Sequence, residues 1–376
     1  MIRKEIYRIL SRRIVWLALI VVTAFLIFYD TRIVTEEGII DNGKVYLGRE
    51  AVAHDRMAAE EFAGPLTFET VQAIWEKYGE PVNLEQTAWE ELEKTAEPGQ
   101  YHNYYNNFVV NMFTGVGEAV LEDGEITLEL AKGLSIDNQY LDGSYTFGYA
   151  GRGWSWYWDS FLVTLVLVSL VVIIAFCPVF SEDYAFRTAD IILPTVKGRF
   201  RLWWQRTGAG VLLASAYYWL MSGILFLFRY WVYGGEGLSV SCGLTFVPYD
   251  YTRAADPLWK AVLGLHLCGW FSVMALVLQI QAISSKCKSS FGSLLWSLAV
   301  YLVPYAVVRG ILWNLPVTVL NKWLQYFCYS MPLTFSGMFV QAPMSGKRVL
   351  LTFAVTVAVA AAGIGCWKWG RHQVRN

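Results

Sequence analysis

Residues 161–180 read FLVTLVLVSLVVIIAFCPVF, a run of twenty residues without a charged side chain. A helix needs about 20 mostly apolar residues to cross a bilayer. The run therefore predicts a membrane-spanning helix. Outward from it, the chain contains five further apolar runs that predict spans: Ile14–Tyr29, Gly208–Phe228, Ala261–Ile283, Phe291–Val308 and Val349–Trp367.

The composition indicates the same class. The chain has 376 residues, of which 55% are hydrophobic and only 16% are charged, whereas soluble domains average about 25% charged residues. The mean hydropathy is +0.37. These values exclude a purely soluble enzyme, a disordered chain and a nucleic-acid-binding module, so we expect no nucleic acid among the partners.

The charges are divided between two regions. Residues 30–159 hold 24 Asp and Glu but only 8 Lys and Arg, a net charge of −16, and the rest of the chain has a net charge of +15. Fifteen basic residues flank the spans on the side of the N-terminus, against six in the short segments on the other side. Since cytoplasmic loops carry the excess of Lys and Arg, both termini are predicted to be cytoplasmic in a multi-pass protein of the cell membrane.

This orientation predicts three parts of the chain. Residues 1–29 contain an amphipathic N-terminal helix, or alternatively a simple basic region that sets the topology, and then an uncleaved first span. Residues 30–157 form an acidic, mainly helical extracellular domain, and residues 158–376 contain spans two to six. Leu315–Val340 carries two prolines and a lysine, which favours a re-entrant hairpin before the last span over a seventh span. The predicted fold class is an all-α polytopic membrane protein with six spans.

Motifs for catalysis are missing from the sequence. A phosphate-binding loop would need glycine at position 341, where the chain has Gln341, and no HExxH or GxSxG pattern occurs. The four histidines are far apart along the chain. We therefore expect no catalytic residue, no metal site and no cofactor bound directly.

The most informative segment is the predicted cytoplasmic loop 181–206, SEDYAFRTADIILPTVKGRFRLWWQR. Acidic Glu182 and Asp183 follow a span at once, an apolar patch ends at Leu193, and Gly198-Arg199 precedes the next span. Such a loop suits the docking of a soluble partner. The alternative is a loop that lies on lipid and whose basic residues only set the orientation.

Glu182, Thr188, Ile192-Leu193, Thr195 and Gly198-Arg199 resemble the loop of type-2 ABC transporter permeases, the exporter subunits that lack their own ATPase. Arg187 stands where that pattern has glycine, and Arg206 stands where it usually has lysine. The layout agrees over nearly the whole chain and is similar to the bacterial, Gram-positive-type subgroup with a large extracellular domain.

The resemblance implies a pair of permease chains, identical or related, that binds two copies of a separate ATP-binding subunit. ATP and Mg²⁺ would be bound by that subunit, and the permease would export a peptide, a drug or a lipid-like substrate. The residues it assigns to coupling with the ATPase subunit are Glu182, Asp183, Arg187, Thr188, Leu193, Gly198 and Arg199.

Polar residues inside the spans are candidates for a translocation path or for the interface between permease chains. They are His266, Gln279, Gln281 and Arg309. Alternatively, Arg309 extends to the membrane surface and the two glutamines lie at the cytoplasmic end of their span.

Two other function classes stay open. The first is a membrane-anchored sensor or receptor that does not transport. The second is a secondary transporter, which the lack of an internal repeat disfavours.

Overall fold

The structure is a computed structural model that describes residues 2–41, 44–67, 69–70, 73–74, 77, 101–102, 142–188, 196–245 and 255–310. Its short helices are α1 (Ile2–Leu10), α3 (Gly48–Glu60), α4 (Gly151–Ser155), α6 (Pro178–Ala185) and α8 (Cys242–Thr245). Its long helices are α2 (Arg13–Thr35), α5 (Tyr157–Phe176), α7 (Val196–Tyr233), α9 (Leu258–Lys286) and α10 (Ser290–Gly310). The predicted sixth span Val349–Trp367 and the predicted hairpin Leu315–Val340 lie outside the described residues.

Five helical segments of the described chain are long and apolar enough to cross a membrane. They correspond to the first five predicted spans, with bounds that extend a few residues further at most ends. The first span is 23 residues long instead of the predicted 16, because the helix continues past Asp30 to Thr35. The described residues are thus mostly helical and fit a multi-pass membrane protein.

Two details go beyond the prediction. The candidate span Tyr157–Ala185 contains the whole predicted span Phe161–Phe180, but its helix is interrupted at Cys177 and Pro178 starts a new helix, because proline lacks the amide hydrogen that an uninterrupted helix would use. The predicted loop 181–206 is helical at both described ends. Its last part, residues 196–206, forms the first turns of α7.

Two small antiparallel sheets occur in the region that was predicted to be a mainly helical extracellular domain. Their strands are β1 (Gly38–Asp41), β2 (Lys44–Leu47), β3 (Gly64–Thr67), β4 (Tyr101–His102) and β5 (Asp142–Phe147), in the orders β2-β1-β4 and β3-β5. Helix α3 packs Ala51 against Ile39 of β1 in a small apolar core. The described part of the predicted extracellular domain is therefore mixed, with short strands beside its helices.

The chain divides into two compact units. One consists of residues 1–27, 160–224 and 264–376, and the other of residues 28–159 and 225–263. In the second unit, the fully buried guanidinium of Arg229 donates a hydrogen bond to Asp30, with 3.0 Å between Nη2 and Oδ1. Tyr233, one turn further along α7, donates to Glu37 at 2.7 Å. These contacts fix the end of α7 to the end of α2 within this unit.

Candidate functional site

The helix is interrupted at Cys177-Pro178, between α5 and α6, and Ser284 of α9 stabilises this interruption, which we call the kink. The hydroxyl of Ser284 accepts hydrogen bonds from the amides of Phe180 and Ser181, both at 3.0 Å. It also donates to the carbonyl of Cys177 at 2.7 Å. One side chain from another helix therefore supplies the cap that the first turn of α6 requires. The kink is a built feature of the first unit and is bonded to α9.

Helix α6 ends in a left-handed residue. The amide of Phe186 donates to the carbonyl of Glu182 at 2.9 Å, and Arg187 then adopts φ of +58°. This conformation is common just after a helix and favours glycine. The chain therefore has an arginine in a backbone conformation that glycine adopts best.

A balanced ion-pair network holds α6 against α1 and α7. Arg12, just after α1, donates to Glu182 with 2.5 Å between Nη2 and Oε2. Arg206 of α7 makes a two-pronged contact with Asp183 and lies 3.5 Å from Glu5 of α1. The Arg206 side chain is only 3% exposed, so water screens these pairs weakly. Charge-assisted bonds of this kind fix geometry better than neutral ones.

Arg8 completes the network. It lies 3.2 Å from Glu5 and 3.9 Å from Asp183, and it donates to the carbonyl of Val179 at 2.9 Å. Burial, together with the nearby positive charge of Arg206, lowers the pKa of Arg8 from its usual value. With this residue the network contains three arginines and three carboxylates: Arg8, Arg12, Arg206, Glu5, Glu182 and Asp183.

The predicted coupling residues therefore fall into separate groups. Glu182 and Asp183 are engaged within the chain and are not free for a partner. Arg187 is exposed, and the exposed Thr188 donates to the carbonyl of Asp183 at 3.2 Å. Leu193 lies outside the described residues, while Gly198 and Arg199 lie in the first turn of α7, where only the backbone is described.

An exposed tip follows the network. Residues 184–188 are all exposed, and the tip presents Phe186, at 74% exposure, beside Arg187 and Tyr184. We call residues 184–188 the α6 tip. A large aromatic ring, a guanidinium and a phenol are exposed within four residues of the chain, and these residue types dominate protein interfaces.

The polar residues inside the spans are not brought together. His266 lies between the aromatic rings of Phe161 and Trp219, at ring distances of 5.2 and 6.2 Å. Gln281 is fifteen residues away on the same helix, about 22 Å along its axis. The side chain of Arg309 is not described.

Gln281 has a structural role between two helices. Its amide oxygen accepts a hydrogen bond from Thr207 at 2.8 Å, and its nitrogen donates to the carbonyl of Arg206 at 3.4 Å. Gly210 permits this close approach, because a Cβ there would overlap the Gln281 amide. Gln279 is equally buried, but its amide has no hydrogen-bond partner within the described part of the chain. Gln281 therefore joins α9 to α7 through its amide, whereas Gln279 does not.

Sequence reasoning missed the two features that organise this site. The kink had a visible signal, since Pro178 interrupts the apolar run. The network had none, because Arg12 and Glu182 are 170 residues apart in the chain. Over the described ranges, no group of three or more His, Cys, Asp or Glu residues could hold a metal ion.

The comparisons with known proteins return no relative. No family model matches the chain, and no curated protein or solved structure matches it either.

Proposed function

We propose that the chain is the membrane-spanning permease subunit of an ABC exporter of the type-2 class. It would lie in the cell membrane with both termini in the cytoplasm and work as a pair of permease chains. Two copies of a separate subunit would bind ATP and Mg²⁺ and carry out all the hydrolysis. The observation that carries the proposal is the exposed α6 tip, which follows a membrane-length helix and stands on a rigid, charge-balanced base.

The base supplies a route for force. When the ATP-binding subunits close on nucleotide, they would press on the tip, and α6 would move as a short lever about the kink at Pro178. The ion pairs from Asp183 and Glu182 would carry this movement to α7 and α1, while Ser284 carries it to α9. A nucleotide-biased change between two arrangements of the helices is what export requires.

Two observations favour this role over a sensor that does not transport. A sensor has no need of the exposed aromatic and basic residues that the α6 tip presents between the second and third spans. In addition, Arg187 adopts the left-handed conformation at the position where the permease pattern has glycine. The exported substrate is proposed to be a peptide, a drug or a lipid-like molecule.

The charge pattern supports the proposed orientation. Arg8, Arg12 and Arg206, which the sequence assigns to the cytoplasmic side, lie in one cluster in the first unit. Asp30 and Arg229, which it assigns to the outer side, pair with each other in the second unit. Each group thus contains only residues that the sequence places on the same side of the membrane.

Affinity purification in mild detergent tests the proposal. The full chain should co-purify with a protein that carries a phosphate-binding loop and hydrolyses ATP. Phe186→Ala should reduce the amount retained at least about tenfold, since a central aromatic anchor commonly contributes that much to an interface.

Phe291→Ala is the matched control, because Phe291 is also a highly exposed phenylalanine, at 69%, in the first turn of α10. It should retain the partner at the level of the unaltered chain. A chain that purifies without any ATP-hydrolysing partner, in a state that still gives a single sharp gel-filtration peak, would favour the sensor class and overturn the proposal.

A further inference from the structure

A large apolar groove lies in the first unit between α2, α5 and α7. Its volume is about 640 Å³, a size typical of ligand pockets. Aliphatic side chains, Phe176 and Met221 line almost all of it, and the exceptions are Trp16, Thr23 and Tyr217. Such a lining binds hydrocarbon and offers little to a polar ligand.

The length of the groove matches one leaflet of a membrane. Along α2, its lining runs from Val15 to Ile27, about 18 Å at the rise of an α-helix. One leaflet contributes about 15 Å of hydrocarbon to a bilayer. An extended acyl chain that entered at the Val15 end would therefore be covered over its length.

One cation without an ion-pair partner among the described residues, Arg13, lies at that end of the groove, and a second, Arg3, lies further away along α1. Arg13 lies on the groove face of α2, because Trp16, Ile20 and Ala24 follow it at three, seven and eleven residues. Arg3 lies two turns before Leu10, which also lines the groove, on the same face of α1. Both arginines are exposed, and neither has an ion-pair partner in the part of the chain that the structure describes. The apolar groove thus begins at a site that suits an anion.

We propose that this groove binds one acyl chain of an anionic phospholipid from the surrounding membrane, with the phosphate headgroup held by Arg13. The site combines an apolar groove of leaflet length with positive charge at the level of the headgroups. An anionic phospholipid has the complementary features, an acyl chain and a negatively charged headgroup, in the same order. A second copy of the chain fits less well. In a two-fold contact through this groove, Arg13 of one copy and Arg13 of the other would lie at the same end of the interface, and their like charges would repel. The inference goes beyond the proposed export function and does not depend on it.

Native mass spectrometry of the full chain tests the proposal. The chain is released from micelles after incubation with equal amounts of phosphatidylglycerol and phosphatidylcholine that carry the same acyl chains. We expect one phospholipid to be retained per chain. Phosphatidylglycerol should be preferred at least about fivefold, which is the factor in affinity that one cation contributes near an anionic surface. Arg13→Gln should remove about that factor from the preference, and Arg201→Gln, an exposed arginine of α7 outside the groove, should not change it.

A second pair of variants tests whether the apolar groove holds the acyl chain. Ala24→Trp places a large ring in the groove at an exposed position and should lower the retention of both lipids at least tenfold. Val21→Trp, on the same helix but outside the lining, should retain them, and both variants should keep the melting temperature of the unaltered chain.

Three results would overturn the proposal. The first is equal retention by the two tryptophan variants, and the second is equal retention of the two lipids by the unaltered chain. The third is a lipid-free dimer that Ala24→Trp dissociates, which would assign the groove to a second copy of the chain.

Discussion

Removal of the Arg206 guanidinium should destabilise the first unit more than any other single change to its charged residues. Arg206 is 3% exposed, holds Asp183 with two nitrogens and lies 5.1 Å from the ring centre of Phe180. In the Arg206→Met variant, the largely buried carboxylates of Asp183 and Glu5 would keep only one neighbouring cation of the network, Arg8. Breaking a buried pair from one side costs about 3–5 kcal/mol, and because Arg8 remains, we expect the lower end of that range.

Thermal unfolding in detergent, followed by tryptophan fluorescence, measures this effect. A loss of about 3 kcal/mol corresponds to a fall in the melting temperature of about 6 °C, at about 2 °C per kcal/mol for a large domain. Arg201→Met is the matched control, since Arg201 is exposed in the same helix. It should stay within about 0.5 kcal/mol of the unaltered chain.

A double-mutant cycle with Asp183→Asn separates the ion pair from general disruption. If the two side chains act as a pair, the double variant should lose at least about 1.5 kcal/mol less than the sum of the single losses. Additive losses, or an Arg206→Met variant as stable as the Arg201→Met control, would refute the account of the network.

Three further predictions concern single positions. Ser284→Ala should lower the free energy of unfolding by about 1–3 kcal/mol, because two buried amides of α6 lose their acceptor. The control is Ser285→Ala, since the Ser285 hydroxyl bonds only within its own helix. It should cost under about 0.5 kcal/mol in the same melting assay. Arg229→Met should cost about 3–5 kcal/mol, because it leaves the carboxylate of Asp30 buried, and a melting temperature equal to that of the unaltered chain would contradict the buried pair. Burial raises the pKa of the Cys242 thiol to about 12, so almost none of it is thiolate at pH 7.5. In a chain that keeps Cys242 as its single cysteine, maleimide should therefore not label the folded protein at this pH, and rapid labelling would show that the thiol is not buried.

The long helices could be predicted from the sequence because each contains a long, mostly apolar run, and hydropathy detects such runs directly. Their ends could not, since the helical backbone continues past the apolar residues into polar ones. Helix α7 begins at Val196, twelve residues before the predicted span, and its first turns are rich in Lys and Arg. These are good helix formers with no apolar signal.

The hairpin of β1 and β2 could be predicted from the sequence, whereas the ion-pair network could not. Asn42-Gly43 between two short apolar runs is a strong signal for a β-hairpin, and β1 and β2 pair on either side of it. The pairing of Arg12 with Glu182 could not be predicted, because nothing in the local pattern of either residue indicates a partner 170 positions away. Only the packing of the helices determines it.

The most direct test of the central claim is photo-crosslinking from the α6 tip in native membranes. A photoreactive phenylalanine replaces Phe186 in one variant and Phe291 in the other, and the crosslinked products are identified by mass spectrometry. We predict that position 186 forms a crosslink to a protein with a phosphate-binding loop, that position 291 does not, and that ATP changes the yield at 186. If position 186 gives no such product, or gives it no more than position 291, the tip does not receive the force of an ATPase and the proposed mechanism is wrong.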